Sequence, residues 1–229
     1  FGIFCEGTSN PWGIAFDENG SAFISACVID HLWHLIETGY YRRQGGAYPP
    51  HTWKLESIVS HKHQKAAYCG ITWFDSDAYP KEYRGHLDMG NIHGKCINGD
   101  SVARADSSYR GSPRPDFLSV EDAWFMPVVQ KTGPDGCLYI LDMYRGIIQE
   151  GNWVRRGSYL RGVVEAYELH KNIGKGRIYR VVHDKFKPGP RPRMLEEQPS
   201  PLVKHPSPPT RWWRGEAQKD PETRGRERG

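Results

Sequence analysis

A tight turn followed by a short alternating strand pattern occurs twice in this chain of 229 residues. The turn Gly-Pro-Asp-Gly at 133–136 stands before the run 137–142, and Glu-Asn-Gly at 18–20 stands before the run 22–28. Asn-Gly and Asp-Gly supply the positive φ that tight hairpin turns require. A turn-plus-strand unit that recurs along one chain is typical of propeller blades. The pattern therefore predicts an all-β fold, a partial β-propeller.

The composition agrees with a loop-rich β protein and excludes two classes of partner. The 25 glycines and 17 prolines are many for a helical domain. The net charge of +4 arises from 31 basic and 27 acidic residues, and much of the excess follows residue 185, so we predict no nucleic-acid surface. No apolar stretch approaches the ~18 residues of a membrane span, and no targeting signal is present. We expect the chain to be an internal piece of a longer protein.

Three parts of the chain differ in their patterns. Residues 1–184 carry the blade-like strands, 185–199 form a proline-rich basic linker, and 200–229 look like a degenerate start of a helical repeat, largely disordered. Between 143 and 176 apolar residues recur at helical intervals, which predicts a short inserted helix. The polar segment 100–115 is predicted to be a loop. The predicted strands lie at 12–16, 22–28, 32–36, 67–74, 86–96 (a pair), 123–130, 137–142 and 175–182.

Histidines provide the first candidate site. His61 and His63 are separated by one residue, so on a strand both imidazoles point to the same face and can reach one metal ion or one ligand. The alternative is an exposed polar loop, because residues 60–65 are hydrophilic throughout. His31 and His34 are three residues apart and share a face only on a helix, so a structural role is predicted for them.

A second set of candidates suits an anionic ligand. His93 lies between glycines in Gly-Asn-Ile-His-Gly at 90–94, where the backbone can turn close to a ligand, although a histidine can equally hold such a turn by hydrogen bonds. Arg42, Arg43 and Lys65 can bind the carboxylates of a cofactor or substrate, because arginine offers a bidentate fork. Simple solvation of these cations is the alternative.

Polar residues also follow the strand predicted at 137–142. Asp142, Tyr144 and Arg145 stand directly after it. Side chains at strand exits line the central funnel of a propeller, which predicts a position near a ligand for Asp142 and Arg145. The alternative is that these two residues pair and hold the inserted helix to its blade.

An ordered series of motifs makes the chain resemble a known family. The motifs are NPWG at 10–13, HLWH at 31–34, RRQGG at 42–46, HKH at 61–63, GNIH at 90–93, DFL at 116–118, GPDG at 133–136 and GRIYR at 176–180. Over about residues 1–200 the series resembles planctomycete and verrucomicrobial proteins described as membrane-bound dehydrogenases, whose propeller is similar to that of the quinoprotein glucose and sorbosone dehydrogenases. In that family, HEAT-type helical repeats and a haem-binding C-x-x-C-H domain follow the propeller. By this resemblance the chain is a fragment that is inactive in isolation.

The resemblance implies a parent protein that oxidises a sugar or alcohol with pyrroloquinoline quinone (PQQ) and Ca²⁺. Electrons would pass to a cytochrome domain whose haem this chain lacks, in the periplasm or cell envelope. A general base is also implied, with His93 as the first choice and His61 as the second. The cofactor-binding residues would be Arg42, Arg43, Lys65 and Arg145, and the substrate-binding residues His63, Tyr41 and Tyr144. No residue is assigned as a metal ligand.

Two other functions are compatible with the same sequence. A non-catalytic propeller would bind glycan or protein partners through the aromatic loop residues Tyr40, Tyr41 and Trp53. A Ca²⁺-dependent lactonase-like hydrolase would need oxygen donors that converge on one central metal. Its candidate ligands are Asn91, Asn98 and Asp142.

Overall fold

The computed structural model describes residues 2–63, 67–148 and 151–187 of the chain. Within these residues the chain forms eleven β-strands in three antiparallel sheets, with one α-helix and three short 3-10 helices. The predicted all-β class with a short inserted helix is confirmed. Among the described helices, none is both long and apolar enough to cross a lipid bilayer.

The first sheet is a simple meander. It contains β1 (Pro11–Phe16), β2 (Ala22–Ala26) and β3 (Leu32–Leu35), in that order. The turn after β1 is held by Asp17, whose Oδ1 accepts hydrogen bonds from the backbone N–H groups of Asn19 (2.9 Å) and Ser21 (2.8 Å). Gly20 adopts φ +85° there, a conformation that glycine takes without strain. The turn and the three strands predicted around it are confirmed.

The second sheet is the largest. It contains β4 (Tyr68–Phe74), β5 (His86–Asn91), β6 (Cys96–Ala105), β7 (Ser108–Pro113) and the two-residue β8 (Leu118–Ser119), which pairs with β6. The loop predicted over 100–115 is wrong, because β6 and β7 pair there from Ala105↔Ser108 to Asp100↔Pro113. Backbone hydrogen bonds hold this hairpin, and its side chains are mostly polar, with Tyr109 and Val102 as the members that reach the core, so they carry no alternating apolar signal.

The third sheet closes the described part of the chain. It contains β9 (Pro127–Thr132), β10 (Leu138–Asp142) and β11 (Arg177–Val181), with β10 in the middle. The helix α1 (Tyr159–Ala166) is inserted between β10 and β11, within the predicted interval. It begins after Ser158, whose side chain accepts a hydrogen bond from the N–H of Arg161 at 3.2 Å, a standard N-cap.

The three sheets stand side by side with their first strands adjacent. β1 packs against β4, and β4 packs against β9. Glycines permit this close approach: a Cβ added to Gly13 would lie 2.9 Å from the backbone N of Ile71. A Cβ added to Gly70 would lie 2.9 Å from the carbonyl O of Val128. Side chains at these positions would push neighbouring sheets apart.

Apolar layers fill the spaces between successive sheets. Between the first and second sheets lie, among others, Ala15, Phe23, Leu32, Tyr68, Ile71, Leu87 and Met89. Between the second and third sheets lie, among others, Phe74, Ile97, Phe125, Leu138 and Ile140. Antiparallel sheets that follow one another in the chain and pack face to face, first strand beside first strand, are the blades of a propeller. The predicted partial β-propeller is confirmed.

Not all of the predicted organisation falls within the described residues. Residues 188–229 lie outside them, so the linker at 185–199 and the helical-repeat remnant at 200–229 stay predictions.

On the first sheet, the outward face of β1 presents Trp12, Ile14 and Phe16 as exposed side chains.

Candidate functional site: a buried carboxylate among three histidines

Four polar residues from separate parts of the chain meet where the first and second sheets adjoin. His31 ends the turn between β2 and β3, and its carbonyl accepts a hydrogen bond from the N–H of Ala26 at 3.1 Å. His61 and His63 lie in the connection between β3 and β4. Asp100 lies in the middle of β6, opposite Leu87 on one side and Pro113 on the other. We call these four residues the His/Asp cluster: His31, His61, His63 and Asp100.

The imidazoles of the cluster converge on one carboxylate. Nε2 of His31 lies 2.7 Å from Oδ2 of Asp100, and Nε2 of His61 lies 2.8 Å from Oδ1. Nε2 of His63 lies 3.4 Å from the same Oδ1. The Asp100 side chain is 0% exposed, and that of His61, at 19%, is the most exposed of the three histidines. Solvent or a ligand therefore approaches the cluster past His61.

Burial and hydrogen bonding determine the charges in the cluster. Burial lowers the pKa of His31 below its ordinary value and outweighs the opposing effect of Asp100. Burial alone would raise the pKa of Asp100, but the hydrogen bond from His31 and the nearby His63 lower it below its ordinary value. The cluster thus combines an ionised carboxylate with a neutral imidazole at His31.

Tyr68 of β4 forms one wall of the cluster. Its ring lies 4.8 Å from the ring of His31, and its hydroxyl donates to the carbonyl of His63 at 3.4 Å. Burial raises the pKa of Tyr68, so this hydroxyl stays protonated. The wall keeps the His31 side of the cluster dry, which strengthens electrostatic interactions there.

A cavity lined by cations lies next to the cluster. Its volume is about 410 Å³. Its lining consists of Ile29, Asp30, Trp33, Arg42, Arg43, Gln44 and Lys62. Two lining residues are neighbours of cluster residues in the sequence: Asp30 directly precedes His31, and Lys62 stands between His61 and His63. With three cations and one carboxylate, the lining favours an anionic ligand.

The two predicted arginines of this cavity are held differently. Nη1 of Arg42 lies 3.4 Å from the Glu56 carboxylate, and both side chains are largely exposed. The Arg43 guanidinium stacks over the Tyr48 ring at 4.9 Å. The structure therefore brings Arg42 and Arg43 into one cavity, as it brings His61 and His63 into one cluster. Lys65 lies outside the described residues.

The remaining predicted site residues lie in neither the cluster nor the cavity lining. His93 is exposed in the turn between β5 and β6. Tyr41 is buried, and its hydroxyl donates to the carbonyl of His34 and accepts from the N–H of Ile36. The roles predicted for His93 and Tyr41 stay predictions.

Tyr144 and Arg145 follow β10, on the third sheet. The Tyr144 hydroxyl donates to Asp122 at 2.7 Å, and the Arg177 guanidinium covers the Tyr144 ring at 3.5 Å. The substrate contact predicted for Tyr144 and the cofactor contact predicted for Arg145 stay predictions.

The oxygen donors considered for a lactonase-like metal site are engaged with protein groups. The amide of Asn91 donates to Asn98 at 2.9 Å, and Asn98 in turn donates to Asp116 at 2.7 Å. Oδ1 of Asp142 accepts from the backbone N–H groups of Met126 and Tyr144. These contacts hold strand ends together. Asn91 and Asn98 are hydrogen-bonded neighbours, whereas the hydrogen bonds of Asp142 are made with other residues.

Sequence reasoning missed two members of the cluster. The spacing between His31 and His34 predicts a structural role for His31, and Asp100 lies in the segment predicted to be a loop. The one available signal is the His-x-His pair, whose ring nitrogens need hydrogen-bond partners if they are buried. Nothing local in the sequence indicates that β6 carries such a partner.

The resemblance implies two bound groups, Ca²⁺ and PQQ, and they can be compared with the residues of the cluster and of the cavity. Ca²⁺ takes six to eight oxygen ligands, whereas the cluster offers three imidazole nitrogens and one carboxylate, so Ca²⁺ does not fit there. The cationic cavity does fit an acidic cofactor such as PQQ, since Arg42, Arg43 and Lys62 can face its carboxylates.

Fold and site together define a β-propeller protein with a histidine–aspartate centre between its first two described blades. The chain belongs to the family described as a domain of unknown function, DUF7133, whose model matches residues 3–185. No curated protein matches the chain.

Solved structures similar to this chain include two sugar dehydrogenases. One is the soluble aldose sugar dehydrogenase of Escherichia coli in its apo form, with 20% identity, a TM-score of 0.47, and coverage of 61% of this chain and 43% of that one. Another is the PQQ-bound aldose sugar dehydrogenase of Streptomyces coelicolor, with 17% identity, a TM-score of 0.45, and coverage of 66% and 43%. The chain thus spans less than half the length of either dehydrogenase.

Proposed function

We propose that this chain is part of a propeller oxidoreductase that oxidises a hydroxyl group of a sugar or alcohol. The observation that carries the proposal is the adjacency of the cationic cavity and the His/Asp cluster, which Asp30–His31 and Lys62 join directly. An oxidation of this kind needs a redox cofactor and a neighbouring group that activates the substrate hydroxyl. The cavity offers a place for the first, and the cluster offers the second.

In this proposal the cavity holds an acidic quinone of the PQQ class. Arg42, Arg43 and Lys62 bind its carboxylates by charge-assisted hydrogen bonds, and Lys65 and Arg145 stay further candidates for the same task. When bound, the quinone supplies the hydride-accepting chemistry. Trp33 forms an apolar side of the cavity and helps to exclude water.

The substrate hydroxyl is activated at the cluster, next to His61. His61 is the member nearest to solvent, and Asp100 holds its ring in one orientation. His63 and the aromatic side chains Tyr41 and Tyr144 stay proposed substrate contacts, and His93 stays the other proposed base. Because Ca²⁺ does not fit the cluster, no step is assigned to it.

The longer parent protein would complete the pathway for electrons. We propose that it includes further blades and a haem-containing cytochrome domain, and that it acts in the periplasm or cell envelope. Both proposals come from the motif resemblance over about residues 1–200.

Quinone binding is the direct test. PQQ added to the chain should quench tryptophan fluorescence, because Trp33 lines the cavity, and Arg43→Gln should weaken this binding by roughly tenfold for the loss of one charge-assisted contact. Arg110→Gln, an exposed arginine of β7 outside the cavity lining, is the matched control and should bind as the unmodified chain does. The parent protein with PQQ should reduce an artificial electron acceptor when sugars or alcohols are added.

Two outcomes would contradict the proposal. Equal quenching for Arg43→Gln and Arg110→Gln would remove the cavity as the cofactor site. Binding of glycans without any dye reduction over a broad panel of sugars and alcohols would favour the non-catalytic alternative, for which Trp53, 85% exposed, is the accessible aromatic residue.

A further inference from the structure

The His/Asp cluster has the composition of a transition-metal site. One ligand atom from each of its four residues lies within 4.8 Å of all the others. Neutral imidazole nitrogens and a carboxylate are the donors that Zn²⁺ and similar divalent ions take in tetrahedral sites. With metal–ligand bonds of about 2.0–2.2 Å, donors in such a tetrahedron are separated by about 3.4 Å. The contacts of 2.7, 2.8 and 3.4 Å to Asp100 and the 4.8 Å limit bracket that separation.

His63 provides an observation that hydrogen bonding within the cluster does not explain. Its side chain is 9% exposed and its Nε2 points at the Asp100 carboxylate, yet this nitrogen has no hydrogen-bond partner in the described part of the chain. A buried nitrogen without a partner costs free energy unless something binds it. A cation between His63 and Asp100 would bind the unpartnered nitrogen of His63 and balance the buried negative charge of Asp100.

The burial of the Asp100 carboxylate also favours a bound cation. Asp100 lies in a paired strand and is fully buried, so its charge is not solvated, and the three neighbouring imidazole rings stand about 5 Å apart in centroid distance. A buried charge is tolerated when it is paired or coordinates a metal. The 2.7 and 2.8 Å contacts to Asp100 differ from the tetrahedral donor separation of about 3.4 Å by less than about 1 Å, so small shifts would suffice to admit the ion.

We propose that His31, His61, His63 and Asp100 bind one divalent transition-metal ion, of which Zn²⁺ is the simplest case. This role replaces the sequence assignment of no metal ligand and the assignment of His61 as a base. The inference stands on the cluster alone, and it rests on the proposed function only in one respect: because the four protein ligands fill a tetrahedral site, a substrate hydroxyl would be activated by joining the ion as a fifth ligand beside the cationic cavity.

Metal binding can be measured without any enzyme assay. The 229-residue chain, stripped with a chelator and titrated with Zn²⁺ alone, should bind one equivalent, measured by elemental analysis after gel filtration. His61→Gln should weaken binding by more than about 100-fold, since even partners behind a ligand contribute 10–100-fold. His170→Gln, an exposed histidine beyond α1, is the matched control and should bind like the unmodified chain.

Cobalt provides a measurement that needs no variant. Co²⁺ in the unmodified chain should give the intense visible absorption bands of a four-coordinate ion with nitrogen and oxygen ligands, and Asp100→Asn should change them. Failure to retain Zn²⁺, weak six-coordinate Co²⁺ bands, or equal affinity for His61→Gln and His170→Gln would each overturn the proposal. If metal binds but the parent protein shows no dye reduction, the dehydrogenase proposal fails and the metal site stands.

Discussion

Replacing Gly70 by alanine tests how closely the second and third blades approach. The added Cβ would lie 2.9 Å from the carbonyl O of Val128, roughly 0.5–1 Å short of ordinary contact, and the obstructing atom is backbone that cannot rotate away. Overpacking of this kind costs about 1–3 kcal/mol, offset by about 0.4–1 kcal/mol from the less flexible unfolded chain. The net loss is up to about 2.6 kcal/mol, so for a domain of this size we expect Tm to fall by up to roughly 10 °C.

A matched pair of variants makes the result interpretable. Gly162→Ala lies in α1, where the added Cβ would meet no atom within 4 Å apart from its chain neighbours and the nearby backbone of its own helix, so it should raise stability by up to about 1 kcal/mol. Gly13→Ala, at the approach of the first and second blades, should behave like Gly70→Ala. Thermal melting followed by circular dichroism compares all three. If Gly70→Ala and Gly162→Ala shift Tm equally, β4 and β9 are not packed as described.

Further predictions concern the core between the first two blades. Phe23→Ala removes a fully buried ring from that layer and should lower the free energy of unfolding by about 3–5 kcal/mol in denaturant titrations; a loss below 1 kcal/mol would contradict the packing. Burial acts to raise the pKa of Asp17, but hydrogen bonds from Ser21, Asn19 and Tyr109 lower it below its ordinary value, so its carboxylate stabilises the fold above about pH 4 and loses this effect as pH falls through the folded pKa. Asp17→Asn should therefore be less stable at pH 7, and its deficit should shrink in acid; a deficit that is constant from pH 7 to pH 3 would refute the role of the charge.

The spacing of His61 and His63 leaves two alternatives open, a shared binding site and an exposed polar loop. The spacing of His61 and His63 indicates a shared face, and the structure places both at Asp100. Which group such a pair can bind depends on the other donors, and two of the four cluster residues give no signal in the sequence. With His31 and Asp100 added, the donors are those of the metal site that we propose.

Local chemistry encoded most of the fold. The Asn-Gly and Asp-Gly turns and the alternating runs beside them determine the hairpins of the first and third sheets, because positive φ and side-chain alternation are properties of short segments. The short helix followed from apolar spacing for the same reason. The hairpin of β6 and β7 did not, since its partners are backbone groups and its polar residues give no periodic signal.

Tertiary packing alone decided the site. Asp100 is far in sequence from His31, and only the docking of the second sheet on the first brings its carboxylate within 2.7 Å of that imidazole. Burial then removes water from both groups, which fixes their charges and leaves the nitrogen of His63 facing the same carboxylate. Turns and periodicity are local and can be seen in a sequence, whereas convergence of polar groups depends on long-range geometry and can be seen only in the folded chain.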